Sequence, residues 1–159
     1  MTVTNVEGFS ASGVASGIKS NKELDLALVA TEDRKPVSAA GVFTSNKMTA
    51  APVLVTIKHL QATGGFASAV VLNSGNANAA TGTQGLIDAE RMCQLTAQDL
   101  GCESSEVLVC STGWIGYPLP MEAVTYGIKN AIDSLGSEQG TTAAKAIMTT
   151  VTVPKNTFV

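Results

Sequence analysis

The chain has 159 residues, of which 45% are apolar and 14% charged, and its formal net charge is −3. This length suits one domain with a single core. The basic residues form no stripe and no apolar run is long enough to cross a bilayer, so we expect neither nucleic acid nor a membrane as a partner. A surface with so few charges favours contact with another protein chain.

Five short aliphatic runs predict β-strands. Several are continuous rather than alternating, as expected for strands that are covered on both faces. The charged segment 32–36 is typical of a hairpin turn between the first two strands. The predicted strands cover residues 26–29, 40–43, 53–57, 69–72 and 107–110.

Apolar residues at three- and four-residue spacing predict a helix over residues 86–100, which Gly101 would end. A second pattern predicts a helix over residues 120–135, with Pro120 in its first turn. A shorter helix is expected over residues 142–148. Grouped strands followed by alternating strands and helices indicate an α/β protein with layered mixed sheets and flanking helices.

The three cysteines, Cys93, Cys102 and Cys110, are odd in number and lack C-x-x-C spacing. We therefore expect reduced thiols and a cytoplasmic location, with Cys93 and Cys110 buried as small apolar residues. The single histidine, His59, is expected at the solvent-facing end of a strand. Because one histidine builds no metal site by itself, no metal is expected.

The segment Ser111-Thr112-Gly113-Trp114-Ile115-Gly116 directly follows the last predicted strand. Hydroxyl and backbone N–H groups at the end of a rigid element are the donors that a developing oxyanion needs. A strand-to-helix turn explains the same residues, since serine, threonine and glycine are common in turns. Taken alone, the segment favours the turn.

Two other polar segments leave their roles open. The asparagine-rich residues 73–82 favour substrate contact and helix capping at Thr81 or Thr83 about equally. The threonines of residues 149–152 could line a pocket or form an extended strand, and their spacing slightly favours the strand. There is no G-x-S-x-G elbow, phosphate-binding glycine loop or evident nucleophile–base pair.

Nine motifs in a fixed order resemble the N-terminal half of the ornithine acetyltransferases, the bifunctional glutamate N-acetyltransferases of arginine biosynthesis. Together they run from about residue 8 to residue 155, which makes the set far more specific than any one motif. They are GF (8–9), ASGVASGIK (11–19), DLALV (25–29), AGVFT (40–44), AAPV (50–53), NSGNAN (73–78), STG (111–113), PLPM (118–121) and AIMTT (146–150).

The resemblance implies a precursor that cleaves itself before a threonine into an α chain and a β chain, which assemble as an α2β2 heterotetramer. The new N-terminal threonine of the β chain would be the nucleophile, with its freed α-amine as the base. It would take acetyl from N-acetylornithine and pass it to glutamate. Some members also accept acetyl-CoA as a substrate, and no bound cofactor is implied.

By this resemblance, Thr112 and Gly113 match the pair that stabilises the oxyanion, the first through its hydroxyl and the second through its backbone N–H. Thr149 matches a threonine that contacts the substrate. The chain departs from the family pattern at three positions, where it carries Ala80 in place of a common cysteine, Trp114 in place of an aliphatic residue, and Val151 in place of an aspartate.

We interpret residues 1–159 as a single α-chain domain that stops before the self-cleavage site, and we expect it to be inactive alone. Two other interpretations stay open. Val151 and the early stop favour a non-catalytic fragment or interaction module. A related N-terminal-nucleophile amide hydrolase is the third.

Overall fold

Four strands form the main sheet, in the spatial order β1 (Phe9–Val14), β2 (Leu26–Thr31), β5 (Ala69–Asn76) and β6 (Val107–Trp114). The structure is a computed structural model that describes residues 2–155. A second sheet pairs the short strands β3 (Val37–Ser38) and β4 (Phe66–Ala67). The helices are α1 (Ala51–Ala62), α2 (Gly82–Leu100), α3 (Met121–Asp133) and α4 (Gly140–Ala146), with 3₁₀ turns at Val3–Asn5 and Ser104–Glu106.

The main sheet is antiparallel except for its last pair. β1 with β2 and β2 with β5 are antiparallel, whereas β5 and β6 run parallel. Parallel neighbours need a crossover connection, and α2 supplies it between β5 and β6. Consequently the carboxyl ends of β5 and β6 lie side by side, which brings the asparagine-rich segment next to the Ser111–Trp114 end of β6.

The two faces of the sheet are covered unequally. The larger core combines Leu26, Leu28, Val71, Val107 and Val109 of the strands with residues of α1, α2 and α3. On the opposite face, α4 packs through alanines in a smaller cluster, made of Ala11, Ala27, Ala143 and Ala146. The prediction of an α/β protein with layered sheets and flanking helices is confirmed.

The strand predicted over residues 53–57 is wrong, because these residues lie in α1. Its buried residues include Ala51, Val55 and His59, which are four apart and so share one helical face. The hydroxyl of Thr56 accepts from the Val109 N–H (3.0 Å) and donates to the Val109 carbonyl (2.7 Å). Helix α1 therefore covers the outer edge of β6. The β-branched residues 53–57 belong to this helix and not to a strand.

The structure differs from the sequence predictions at one further strand, at one turn and at strand β1. Residues 40–43 are irregular rather than a strand, with Val42 fully exposed. The turn at residues 32–36 joins no hairpin, because β2 pairs with β1 and β5 while β3 pairs with β4. Strand β1 was not predicted, since its small residues (FSASGV) lack the aliphatic run that indicates the other strands.

The three predicted helices are confirmed with shifted ends. Helix α2 begins four residues earlier than expected and ends at Gly101, which adopts the left-handed conformation of a C-terminal stop (φ 77°). Pro120 is the N-cap residue of α3 rather than a residue of its first turn. Thr81 occupies the N-cap position of α2, but its hydroxyl caps no backbone N–H.

The cysteines are all free, and their burial differs from the prediction at one position. Cys93 is fully buried and Cys102 half-buried, whereas Cys110 is exposed on the face of β6 opposite the larger core. Although Cys110 is exposed as a residue, its thiol is partly shielded from solvent, and this burial raises the pKa of the thiol. Across residues 2–155, none of the helices is both long enough and apolar enough to cross a membrane.

Glycine at position 13 lets α4 approach the sheet, which gives a prediction about stability. A Cβ on Gly13 would overlap the Thr142 carbonyl of α4. We expect Gly13→Ala to destabilise the full-length protein by about 1–3 kcal/mol, measured as a lower melting temperature. Gly136→Ala is the matched control, since its Cβ would meet only Gln139 Cγ at 3.6 Å. Equal melting temperatures for both variants would contradict this close packing.

Candidate active site

A cavity of about 600 Å³ opens where the ends of β5 and β6 meet the chain that follows α4. Thr112, Gly113 and Thr149, the three residues predicted from sequence, all line it. Thr112 and Thr149 lie 37 positions apart in the chain, so the fold alone brings them together. The other lining residues are Lys19, Asn21, Glu23, Gly75, Trp114 and Thr150. Thr152 is not among them.

The Ser111–Gly113 segment is the last part of strand β6 rather than the strand-to-helix turn that its composition favoured. Gly113 lies opposite Gly75 of β5, and both have positive φ values (135° and 98°). A Cβ on Gly113 would overlap the Gly75 backbone and lie 2.6 Å from the Asn76 nitrogen. Glycine is therefore required at position 113 by a close approach of two backbones.

The pairing of β6 fixes the direction of two donor groups. Thr112 pairs with both Ser74 and Asn76, so its backbone polar groups point toward β5. Backbone groups alternate along a strand, and the N–H of Gly113 therefore points to the outer edge of β6. The Thr112 side chain is exposed beside this N–H. The end of β6 thus offers a hydroxyl and a backbone N–H that its partner strand does not occupy.

Strand β1 leads into a loop that the site predictions missed. The buried carboxylate of Asp25 accepts hydrogen bonds from the Ser16 N–H (2.6 Å) and hydroxyl (2.7 Å). It also accepts from the N–H groups of Gly17 (3.2 Å) and Lys19 (2.9 Å). The loop therefore brings the Lys19 side chain to the cavity. The only sequence signal was that ASGVASGIK and DLALV belong to the nine family motifs.

The asparagine-rich segment uses its side chains within the protein. Asn73 Nδ2 donates to the Asn76 carbonyl (2.8 Å), and Asn76 Nδ2 donates to the Pro118 carbonyl (3.0 Å). Asn78 Nδ2 donates to the Gly85 carbonyl (2.8 Å), and the Thr81 hydroxyl donates to Asn78 Oδ1 (2.7 Å). These bonds hold the start of α2 against the end of β6, without the side-chain cap expected at Thr81. Substrate contact by this segment stays a prediction.

His59 is not at the solvent-facing end of a strand, as expected, but buried on α1. Its Nδ1 lies 2.8 Å from the Val107 carbonyl, which only accepts, so Nδ1 carries a proton. Its Nε2 lies 3.2 Å from the Glu90 carboxylate. Val107 is five residues before Thr112, or roughly 16 Å along an extended strand. His59 therefore stabilises the far end of β6 and is not a base for the cavity.

A metal has no evident place in the part of the chain that the structure describes. Residues 2–155 bring together no group of three or more His, Cys, Asp or Glu side chains that could hold an ion. The cavity offers hydroxyl, amide, backbone N–H and ammonium groups as hydrogen-bond donors, together with the carboxylate of Glu23 as an acceptor.

The sequence and the fold of the chain match one protein family. The model of the ArgJ family matches residues 10–159, and the chain belongs to this family. Among curated relatives, it is 48% identical over 157 residues to the arginine biosynthesis bifunctional protein ArgJ 1 of Clostridium acetobutylicum, covering 99% of this chain and 38% of that protein. It is 52% identical over 149 residues to ArgJ of Caldanaerobacter subterraneus, covering 94% and 36%.

Solved structures agree with this assignment. Ornithine acetyltransferase of Mycobacterium tuberculosis, in complex with ornithine, matches with a TM-score of 0.91 and 45% identity over 96% of this chain and 81% of that one. The arginine biosynthesis bifunctional protein ArgJ of Bacillus halodurans matches with a TM-score of 0.87 and 40% identity, over 96% and 78%. The chain spans less than two fifths of the length of the two curated relatives.

The glycine pair at the cavity gives a prediction about stability. We expect Gly113→Ala to lower the stability of the full-length protein by about 2–4 kcal/mol, since it adds backbone overlap to the strain of a positive φ. Gly116→Ala is the control, with a positive φ (84°) but nothing within 4 Å of its Cβ. Its cost should be about 1 kcal/mol. Melting temperatures compare the two, and an equal loss would contradict the close approach.

The Glu90 contacts predict how stability depends on pH. Burial alone would raise the pKa of Glu90, but hydrogen bonds from Lys58 (2.6 Å) and His59 lower it below its ordinary value. Because the folded pKa is lowered, this stabilisation is present above the ordinary value of about 4.3 and is lost as the pH falls through the lowered pKa.

We therefore expect Glu90→Gln to reduce stability at pH 7 and to weaken its loss on acidification. Urea unfolding midpoints at a series of pH values between about 7 and 3 provide the measurement. Glu138→Gln, at an exposed carboxylate, should keep the pH profile of the unmodified protein. A profile for Glu90→Gln that parallels the unmodified one would contradict the prediction.

Proposed function

We propose that this chain forms the oxyanion-stabilising part, and part of the substrate pocket, of an acetyltransferase that moves acetyl from N-acetylornithine to glutamate. The observation that carries the proposal is the meeting of Thr112, Gly113 and Thr149 at one cavity. Family membership and the likeness to an ornithine acetyltransferase in complex with ornithine support this choice of substrates.

In the proposed reaction, a threonine hydroxyl on the β chain attacks the acetyl carbonyl of N-acetylornithine and transfers its proton to its own α-amine. The carbonyl oxygen becomes an oxyanion, which the Thr112 hydroxyl and the Gly113 N–H stabilise. Collapse of this intermediate breaks the C–N bond, the amine of ornithine takes the proton, and an acetyl ester remains. The amine of glutamate then attacks the ester carbonyl and forms a second oxyanion. Its collapse breaks the C–O bond, the threonine oxygen takes back a proton that the glutamate amine gives up, and N-acetylglutamate leaves. Thr149 holds the substrate throughout.

Coverage of the relatives supports a division into two chains. The chain covers 81% of the solved chain from M. tuberculosis but 38% of the C. acetobutylicum protein. A solved chain much shorter than the curated relatives is what self-cleavage of a precursor would leave. We propose that the β chain of the same precursor supplies the nucleophile, that the two chains form an α2β2 heterotetramer, and that the α chain alone is inactive.

The surface beside the cavity suits such a partner chain. Trp114, Ile115 and Tyr117 are 71%, 65% and 59% exposed and adjoin the Thr112–Gly113 edge. Large apolar side chains in one exposed patch are typical of a surface that another protein covers. Acetyl-CoA remains a further candidate donor for the same acetyl site, and no resident cofactor is proposed.

Removal of the Thr112 hydroxyl tests the oxyanion role. In the full-length protein, we expect Thr112→Ala to lower kcat for acetyl transfer from N-acetylornithine to glutamate by about a hundredfold, because the donor acts mainly in the transition state. Thr125→Ala is the matched control, since Thr125 is an exposed threonine of α3. Its kcat should be unchanged. Unchanged turnover in Thr112→Ala would remove Thr112 from this role.

The same assays separate the alternatives. An amide hydrolase would release acetate from N-acetylornithine without forming N-acetylglutamate. A non-catalytic module would give neither product from the full-length protein. Formation of N-acetylglutamate in proportion to the ornithine released supports the transferase.

A further inference from the structure

Thr149 lies on a segment without regular secondary structure. Helix α4 ends at Ala146, and residues 147–155 form no helix or strand. The Ser74 hydroxyl donates to the Ala146 carbonyl (2.6 Å), which fixes the end of the helix on β5. A further contact after Ala146 is needed to hold Thr149 near the end of β6.

The side chain of Lys19 makes that connection. Its ammonium donates to the Met148 carbonyl (2.8 Å), across 129 positions of sequence, and to the Leu24 carbonyl (3.1 Å). Met148 is the residue directly before Thr149. A cation that binds carbonyl groups just past a helix C-terminus is favourably placed, because these carbonyls lack partners within the helix.

The loop that carries Lys19 is held by the buried carboxylate of Asp25. Asp25 is fully buried (0% exposed), and its carboxylate accepts from three backbone N–H groups and one hydroxyl of the preceding loop. Charge-assisted hydrogen bonds of this kind are strong, so the loop has one preferred conformation. Hydrogen bonds of Asp25 and Lys19 therefore connect the sheet to Met148.

We infer that Lys19 is a positioning residue, which holds Thr149 opposite Thr112 and Gly113 by binding the Met148 carbonyl. It acts through Thr149, so its loss should weaken substrate binding more than it slows the chemical step. The kinetic consequence rests on the proposed function, whereas the structural connection does not.

The test compares Lys19→Met with the unmodified full-length protein. Methionine keeps an unbranched side chain but donates no hydrogen bond. We expect KM for N-acetylornithine to rise about tenfold, as for loss of a charged hydrogen bond, with kcat changed less than about threefold because the oxyanion donors are untouched. Amide hydrogen exchange should accelerate at Met148, whose N–H donates to the Lys145 carbonyl (3.2 Å), and stay unchanged in β1 and β2.

Three further variants make the result specific. Lys19→Arg keeps a cationic donor, so its KM should stay close to that of the unmodified protein. Lys129→Met, at an exposed lysine of α3, should leave KM and exchange unchanged. In a double-mutant cycle, Lys19→Met and Thr149→Ala should raise KM by clearly less than the product of their single effects, since the first acts through the second.

The outcomes keep the two proposals apart. Unchanged exchange at the Met148 amide would overturn the positioning role whatever the kinetics. Multiplicative KM effects in the cycle would also overturn it. If the unmodified protein transfers no acetyl from N-acetylornithine, the proposed function fails, and hydrogen exchange alone decides the role of Lys19.

Discussion

The parallel pairing of β5 and β6 is the constraint on which the rest of this structure depends. It requires α2 as a crossover, and it places the ends of both strands at one edge of the sheet. There the backbone of Gly113 lies closer to that of Gly75 than a side chain at position 113 would allow. This close approach holds the Thr112–Gly113 end of β6 against β5, where the Thr112 side chain is exposed.

Side chains protect the open edge of the same strand. Thr56 and His59 of α1 bind the backbone of Val109 and Val107, so an edge that would otherwise invite another strand is covered by a helix. The other end of β6 stays accessible at Thr112. The edge of β6 is therefore covered by α1 at Val107 and Val109 and exposed at Thr112 and Gly113.

The candidate site is built from segments far apart in the chain. Lys19 comes from the loop after β1, Thr112 and Gly113 from the end of β6, and Thr149 from the chain after α4. Hydroxyl, N–H and ammonium donors meet there with the carboxylate of Glu23. The donors suit a ligand whose oxygen atom develops negative charge. The buried His59 lies at the other end of β6 and takes no part.

Local patterns in the sequence were enough for several elements. Aliphatic runs predicted β2, β5 and β6, helical spacing predicted α2, α3 and α4, and the motif order indicated the family. Local signals failed in several places, among them residues 53–57 and strand β1. Residues 53–57 look like a strand because they are β-branched, yet their contacts with β6 make them helical. Strand β1 has too few large aliphatic residues to be recognised without its partner β2.

What only the tertiary structure decided is which residues meet. The sequence by itself predicted most of the helices and three strands of the main sheet, and its resemblance to a family pointed to Thr112, Gly113 and Thr149, since motifs and periodicity are local properties of the chain. It did not indicate that Lys19 binds the Met148 carbonyl, that Cys110 is exposed, or that Gly113 faces Gly75. Those facts depend on strand register and helix packing, which arise from contacts between residues distant in sequence and are therefore absent from any local pattern.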